Sequence, residues 1–377
     1  MISLYRPTFV DLFSGCGGFG LGAALSGFRN IASIDIDENL QYSYKLNFPL
    51  ASVHIADVSK LDSDFWSAAI GNVSPDLVVG GPPCQGFSRI GKRQPEDPRN
   101  SLIAHFFRQI VILDPKFFVM ENVEGILDSR NKYILDEALG LIGSRYNVIG
   151  PFKINALDCG AATSRKRILV IGCRADLSMP QIEARLTAPK LKPVTVAEAI
   201  SDLPSPVHNA EITASEYDWW NYKPGAQPSK YARGLKKVSS EVGAKFAKQM
   251  LRSGLVSGVM RTKHTNSVVD RFLQTPPGAV EEVSRYPRLS WDGHCPTLRA
   301  GTGSDKGSFQ AMRPIHPSEP RVITVREAAR LQGFPDWFVF HPTIWHSFRM
   351  IGNSVSPIMA QYVLGLLKEA FDLESAA

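Results

Sequence analysis

Cys84 lies in Gly80-Gly81-Pro82-Pro83-Cys84-Gln85-Gly86-Phe87-Ser88, directly after the apolar run Asp76-Leu77-Val78-Val79. Such a run reads as a buried strand, and a thiol at its carboxyl end stands where open α/β sheets place their chemistry. Two prolines stiffen the approach and Gly86 lets the chain turn away, which presents the sulfur as a nucleophile; on this stretch alone a small buried apolar side chain is the alternative. Glu121, in Glu121-Asn122-Val123 after the run Lys116 to Met120, brings a carboxylate to the same edge. At the end of a buried apolar strand it is suited to hold and donate a proton, with a helix cap or structural hydrogen bond as the plainer role. Arg165-Lys166-Arg167 leads into the run Ile168 to Cys173. Three charges in a row usually form a solvated face, yet a strand entering a core seldom begins this way without a ligand or phosphate to satisfy them.

A second constellation concerns a cofactor. Phe9-Val10-Asp11-Leu12-Phe13-Ser14-Gly15-Cys16-Gly17-Gly18-Phe19-Gly20 reads as a strand entering a glycine-rich turn that opens a helix. Asp35 ends the next strand where a ribose diol would lie, and Asp57 follows the third, suited to an adenine amino group or to a cap. The glycine spacing also satisfies a dinucleotide fingerprint, so a dehydrogenase stays open at this point.

Positioning these residues requires alternating elements. Strand-like runs Thr8 to Leu12, Ile31 to Asp35, Ser52 to Ile55, Asp76 to Val79, Lys116 to Met120 and Ile168 to Cys173 are separated by helix-length segments Gly18 to Ser26, Asn39 to Asn47 and Ser101 to Leu113. That order predicts an α/β fold with a doubly wound, mostly parallel sheet. After Arg174 the sequence turns Pro-rich, basic and aromatic, and residues 175–321 are expected to be an inserted second domain between a catalytic domain at 1–174 and C-terminal helices at 322–377. Thr324-Val325-Arg326-Glu327 is a capping box, and Ser356-Pro357 opens a last helix through Phe371 expected to pack on the sheet domain.

Composition narrows the class. The 377 residues carry 42 Lys plus Arg against 36 Asp plus Glu. Between Lys223 and Arg271 eleven cations face only Glu241 and Asp270, a local excess of nine that leaves the rest of the chain at −3. Such clustering is the footprint of a polyphosphate-binding surface. Five scattered cysteines, Cys16, Cys84, Cys159, Cys173 and Cys295, form no C-x-x-C pair, so no metal site is expected and reduced cytoplasmic thiols fit. The N-terminus lacks a signal peptide's apolar stretch, and neither a membrane span nor export is expected.

Taken together these motifs resemble the bacterial cytosine-C5 DNA methyltransferases, in the family's order along nearly the whole chain: Asp11 to Gly18, Gly81 to Gln85, Glu121 to Val123, Arg165 to Arg167, Arg326-Glu327-Ala328-Ala329-Arg330-Leu331-Gln332-Gly333-Phe334-Pro335 and Gly352-Asn353-Ser354-Val355. The resemblance implies an S-adenosylmethionine-dependent methyltransferase type of sheet with an inserted target-recognition domain. It also implies methyl transfer to C5 of a flipped cytosine in a specific duplex sequence through a Cys84 adduct at C6. Glu121 would act at N3, Arg167 at O2 and Arg165 on a phosphate or loop group. Cofactor contacts would fall on Phe13, Gly15, Cys16, Gly18, Asp35, Ile36, Asp57, Val58, Pro83, Leu102, Asn353 and Val355. DNA contacts would fall on Ser88, Arg89 and Arg93 of the loop after the nucleophile and on Lys236 and Lys237 of the basic window. A monomer acting on double-stranded DNA in the cytoplasm, at the nucleoid of a prokaryote and alongside a cognate restriction endonuclease, completes the expectation. A tRNA cytosine methyltransferase would share the same catalytic residues. The chain departs from the family at Asp35, where the family has Glu, and at Ala162-Thr163, where it has Pro-Gln.

Overall fold

The computed structural model describes residues 6–83, 101–188, 191–206, 217–300 and 312–374. Contacts divide the chain into two compact units, one of Met1–Asn155, Lys166–Lys190 and Met359–Ala377, the other of Ala156–Arg165 and Leu191–Ile358. The second unit thus takes in helices that follow residue 321.

The first unit is built in chain order from β1 (Thr8–Leu12), α1 (Gly18–Leu25), β2 (Arg29–Asp35), α2 (Glu38–Asn47), β3 (Ser52–Ile55), α3 (Ser63–Ile70), β4 (Leu77–Gly80), α4 (Ser101–Leu113), β5 (Phe117–Asn122), α5 (Lys132–Gly140), β6 (Tyr146–Asn155), β8 (Lys166–Arg174), α6 (Glu183–Thr187) and most of α13 (Pro357–Glu374). Seven strands form one sheet in the order β3-β2-β1-β4-β5-β8-β6. The first five are parallel, while β8 runs antiparallel to β5 and β6 antiparallel to β8. β1, β4 and β5 are buried along their length, because in a parallel sheet both faces are covered and the strand must be apolar throughout. The chain leaves β1 toward β2 on one side and reaches β4 on the other, so the topological switch point lies between β1 and β4.

On one face of the sheet Phe118 of β5 meets Phe106 and Phe107 of α4 edge to face. On α13, Phe371 sits edge-on to Phe117 and Phe28. Gly22 lets α1 approach that helix closely: a Cβ there would lie 2.3 Å from Ala360 Cβ. β6 is absent from the sequence reading because Gly150-Pro151 interrupts it. It is an edge strand, where proline is tolerated, and its register shifts between Ile149 and Phe152.

The second unit contains β7 (Thr163–Ser164), α7 (Val196–Ile200), β9 (Trp220–Asn221), α8 (Lys230–Leu235), α9 (Lys245–Arg252), β10 (Leu255–Val256), α10 (Asn266–Gln274), β11 (Cys295–Pro296), α11 (Val325–Gln332) and α12 (Ile344–Asn353). Its strands are two residues long, and buried arginines replace the continuous sheet as its framework. Arg330 pairs with Asp202 at 2.8 Å and Asp336 at 2.6 Å, Arg321 pairs with Glu327 at 2.8 Å, and Arg326 donates to the carbonyls of Ser257, Pro335 and Phe338. The capping box of α11 is formed, with Thr324 Oγ1 accepting from Glu327 N and Glu327 accepting from Thr324 N. Among the described residues one helical stretch, Ile344–Asp372, is long and apolar enough to cross a membrane by length and composition. Serines break it between α12 and α13, and 72% of the stretch is buried, which a core helix pair also satisfies.

Candidate cofactor and catalytic site

The carboxyl ends of β1, β2, β3, β4 and β5 share one edge of the sheet, since Leu12 pairs with Gly80, Gly80 with Met120, Leu12 with Ile34 and Asp35 with Ile55. Beyond β1 the backbone turns through two left-handed residues, Phe13 (φ 53°) and Gly15 (φ 56°), before Gly17 at φ 98° caps α1. Side chains are excluded at Gly17, where a Cβ would meet the Phe48 ring at 2.5 Å. At Gly15, by contrast, a Cβ would meet nothing within 4 Å: the glycine borders open space. Gly18 is the first residue of α1, Phe13 packs on the core, and Cys16 is buried.

Asp35 is partly buried, and its carboxylate accepts Gly15 N at 2.8 Å and Asp37 N at 2.9 Å. Ile36 beside it is 68% exposed, an apolar surface next to two acidic groups. Asp57 caps the short turn Val58–Lys60 through Ser59 N at 2.9 Å; the Ser59 hydroxyl and amide hold its carboxyl below the usual range. Val58 is buried and its carbonyl accepts from Gln109. Leu102 is half-buried on α4 and Pro83 is exposed past β4. A glycine cradle with open space, an exposed aliphatic face and two carboxylates at successive strand ends fit a nucleoside with a ribose diol and an amino-bearing base.

Under this edge lies Asp11, buried and pushed up to about 8 by desolvation, with Tyr44 Oη donating at 3.1 Å. A Cβ on Gly20 would lie 2.5 Å from that carboxylate, so helix α1 can sit on it only as glycine. Asp11 therefore belongs to the foundation of the loop.

The catalytic side of the edge is tightly built. Gly80 lies so close to Leu12 O and the Phe106 ring that a Cβ would be 2.8 Å from each, and Gly81 faces Glu121, whose Oε2 would be 3.1 Å from a Cβ there. Asn122 Nδ2 donates to Pro82 O at 3.3 Å, tying the segment that leads to Cys84 to the end of β5. Glu121 Oε1 accepts from Arg167 Nε at 2.5 Å, both side chains being largely buried. The purely apolar setting expected for Glu121 is thus broken by a guanidinium from the neighbouring antiparallel strand. Cys84, Ser88, Arg89 and Arg93 lie outside the described residues.

In the second unit Arg165 is buried and donates to Leu298 O and Gly352 O, both at 3.1 Å. Its guanidinium is bonded to backbone carbonyls, the kind of contact that the loop-group alternative for Arg165 calls for. Thr163, at the departure from the family's pattern, donates from Oγ1 to Pro296 O at 3.3 Å, and Thr297 Oγ1 donates to Ser164 O at 2.6 Å. Asn353 is exposed at the end of α12 and Val355 is buried. The Lys236 ammonium pairs with Asp202 at 2.7 Å and lies 3.7 Å from the Tyr222 ring centroid, so its charge is engaged within the unit. Lys237 is exposed.

Sequence reasoning passed over Gln41. This fully buried residue of α2 donates from Nε2 to Ser14 Oγ at 2.9 Å and Gly15 O at 3.2 Å. The available signal is a polar residue on the inward face of a helix, beside Leu40 and one turn before Tyr44.

An open sheet with a glycine cradle at its switch point, and with a carboxylate and a guanidinium paired at the neighbouring strand end, fits a group-transferring enzyme that takes a nucleoside-bearing cofactor such as S-adenosylmethionine. Comparison with known proteins supplies the family. Residues 7–369 match C-5 cytosine-specific DNA methylase. The chain is 41% identical over 372 residues to the type II methyltransferase M.XorII of Xanthomonas oryzae pv. oryzae, spanning 97% of this chain and 85% of that protein. It is 33% identical to M.DdeI of Desulfomicrobium norvegicum, spanning 93% and 86%. Among solved structures, a prophage-encoded DNA modification methyltransferase of E. coli superposes with a TM-score of 0.85 at 38% identity, covering 97% of this chain and 99% of the other. The Dnmt2 methyltransferase of S. pombe, 17% identical with a TM-score of 0.62 over 97% and 100%, shares the fold. The chain belongs to the C-5 cytosine-specific DNA methylase family, and it is an S-adenosylmethionine-dependent enzyme that methylates C5 of cytosine in DNA. The dehydrogenase and tRNA readings are set aside.

Proposed function

We propose that this chain is the sequence-specific modification enzyme of a restriction-modification pair, acting in the bacterial cytoplasm as a monomer on double-stranded DNA, with Cys84 as nucleophile. The observation that carries the chemistry is the Glu121–Arg167 pair beside Gly81. Cytosine N3 and O2 are adjacent on one ring edge, and a carboxyl group and a guanidinium held side by side match them. Glu121 would bind or protonate N3, Arg167 would donate to O2, and the charge created by attack at C6 would be spread over both. A soft thiolate suits that attack, and a thiol with pKa near ~8.5 supplies some at neutral pH. Bound S-adenosylmethionine supplies an electrophilic methyl group. Gly15, Asp35, Ile36 and Asp57 would hold its nucleoside end, with Phe13, Cys16, Gly18, Val58, Pro83 and Leu102 lining the same edge and Asn353 and Val355 contributing from the family's last motif. Glu121 and Arg167 together reproduce what a flipped pyrimidine needs, and flipping costs roughly a few kcal/mol that base contacts must offset.

The reading of DNA would fall to the second unit. Of the basic window, Lys236 is paired with Asp202, Arg271 with Glu281 at 3.0 Å, and Lys248 donates to the carbonyls of Ser239 and Val242. Exposed Lys223, Lys230, Arg233, Lys237, Lys245, Arg252 and Lys263 remain as candidates for phosphate. Bisulfite sequencing of DNA from cells expressing the protein tests the proposal. One methylated cytosine in one recurrent sequence is the expected result; unmodified DNA, or methylation without sequence preference, would overturn it.

A further inference from the structure

We propose that Asp35 and Gln41 are positioning residues that clamp Gly15 through the peptide groups on either side of its Cα, so that Asp35 serves the cofactor through the loop's shape as well as through any contact with ribose. This rests on the reading of the Gly15 loop as the cofactor cradle. Gly15 is in the left-handed region with open space over its Cα, and a short turn of this kind has few internal bonds to hold it: Ser14 N donates to Ile34 O and Gly17 N to Ser14 O. The two polar atoms of Gly15 go outward. Its N–H donates to Asp35 Oδ2 at 2.8 Å, and its carbonyl accepts from Gln41 Nε2 at 3.2 Å.

Each clamp residue is itself anchored. The second oxygen of Asp35 accepts Asp37 N at 2.9 Å, and Asp37 in turn caps α2 by accepting from Asn39 N and Leu40 N. Gln41 then rises from the first turns of that same helix. One helix end therefore fixes both jaws. The orientation of the Gln41 amide is dictated by the site, because only its NH2 group can satisfy the Gly15 carbonyl. Its Oε1 is buried and accepts no hydrogen bond among the described residues, a cost that the Gly15 bond offsets. The shorter Asp at position 35 fits this arrangement: the carboxylate reaches back to two amides close to its own strand end, where an added methylene would carry the oxygens past them.

The test compares the full-length wild type with Asp35→Asn and Gln41→Met by calorimetric titration with two probes, S-adenosylhomocysteine and its 2′,3′-dideoxy analogue. An Asn can accept only through one oxygen, and Met keeps the volume of Gln without its donors. Both variants are expected to bind both probes about tenfold more weakly, the scale of one or two net hydrogen bonds. Hydrogen exchange at residues 14–17 of the ligand-free protein is expected to quicken in both. If Asp35→Asn weakens only the probe that has ribose hydroxyls and Gln41→Met weakens neither, Asp35 is a plain ribose contact and the clamp is wrong while the cradle reading survives. If the wild type binds both probes and neither variant changes either affinity, the cradle reading falls and the clamp with it. Should Asp35→Asn fail to fold, Gln41→Met decides the matter alone: Gln41 is buried beneath the loop and gives no other reason for ligand affinity to fall.

Discussion

The two units bury their polar groups by different means. In the sheet unit the strands β1, β4 and β5 are packed in hydrocarbon, and buried polar groups gather at strand ends: Asp11 is satisfied by Tyr44 without a cation, while Asp76 and Glu121 each take a cation. In the second unit the interior is threaded by arginines, each matched to carboxylates or to several carbonyls. A continuous sheet supplies backbone hydrogen bonds along every strand, whereas two-residue strands leave carbonyls that a five-donor guanidinium can collect. The contrast teaches that a basic composition is an ambiguous signal: part of the positive charge of the second unit is internal framework, and only the remainder is available to a polyanion.

The sharpest way to break this comparison is at Arg330. Arg330→Met leaves Asp202 and Asp336 buried without their main cation, and we expect a loss of about 3–5 kcal/mol in urea unfolding. A loss under about 1 kcal/mol would show that the ionic framework is dispensable. In the sheet unit, Glu121→Gln is expected to keep the fold and lower kcat by roughly 10²–10⁴, read by transfer of labelled methyl groups to DNA. Full activity would remove Glu121 from the chemistry.

Two buried aspartates, Asp11 of the sheet unit and Asp202 of the second, should answer pH with opposite signs. The Asp11 carboxyl is raised from 3.8 to about 8 by burial, so the folded state keeps a proton that the unfolded chain has lost. Its contribution to stability is therefore present below about 4 and declines as pH rises toward 8. For Asp202, burial raises the pKa, but hydrogen bonding and charge from Arg330 outweigh it and leave the group below its ordinary value. That contribution is present above about 4 and is lost as pH falls further. Asp11→Asn should remove the decline in stability between about pH 4 and pH 8, and Asp202→Asn the loss below about pH 4. An unchanged decline between about pH 4 and pH 8 in Asp11→Asn would mean that Asp11 carries no proton in the fold.

The smallest effects separate two neighbouring lysines. Lys236→Ala is expected to cost about 1 kcal/mol of stability and to leave the salt dependence of DNA binding unchanged. Lys237→Ala is expected to spare stability and to make the salt slope shallower by about one counterion if it touches phosphate. Reversed behaviour would put Lys236 on the DNA.

Legibility in the sequence followed the same division. β1, β3 and the long helix α4 are where their apolar runs and glycine or proline boundaries put them, and the switch point follows from their order. β6 was hidden because its Gly-Pro interruption and half-exposed edge position erase the strand signature. The glycine loop was legible as a ligand turn, yet its supports were not, because Asp11, Gln41 and Tyr44 meet only after α2 has packed on the loop. Lys236 shows the converse: a lysine beside another lysine reads as surface, and only the approach of Asp202 from α7's end and Tyr222 from β9's end reveals it as structure.

The central claim, that Cys84 attacks C6 of a flipped cytosine, is tested most directly by denaturing mass spectrometry of the protein with S-adenosylmethionine and a duplex carrying 5-fluorocytosine at the methylated position. Fluorine blocks loss of the C5 substituent, so a one-to-one covalent complex should accumulate with the wild type and be absent in Cys84→Ser. An adduct that persists in Cys84→Ser, or an active wild type that forms none, would contradict the account.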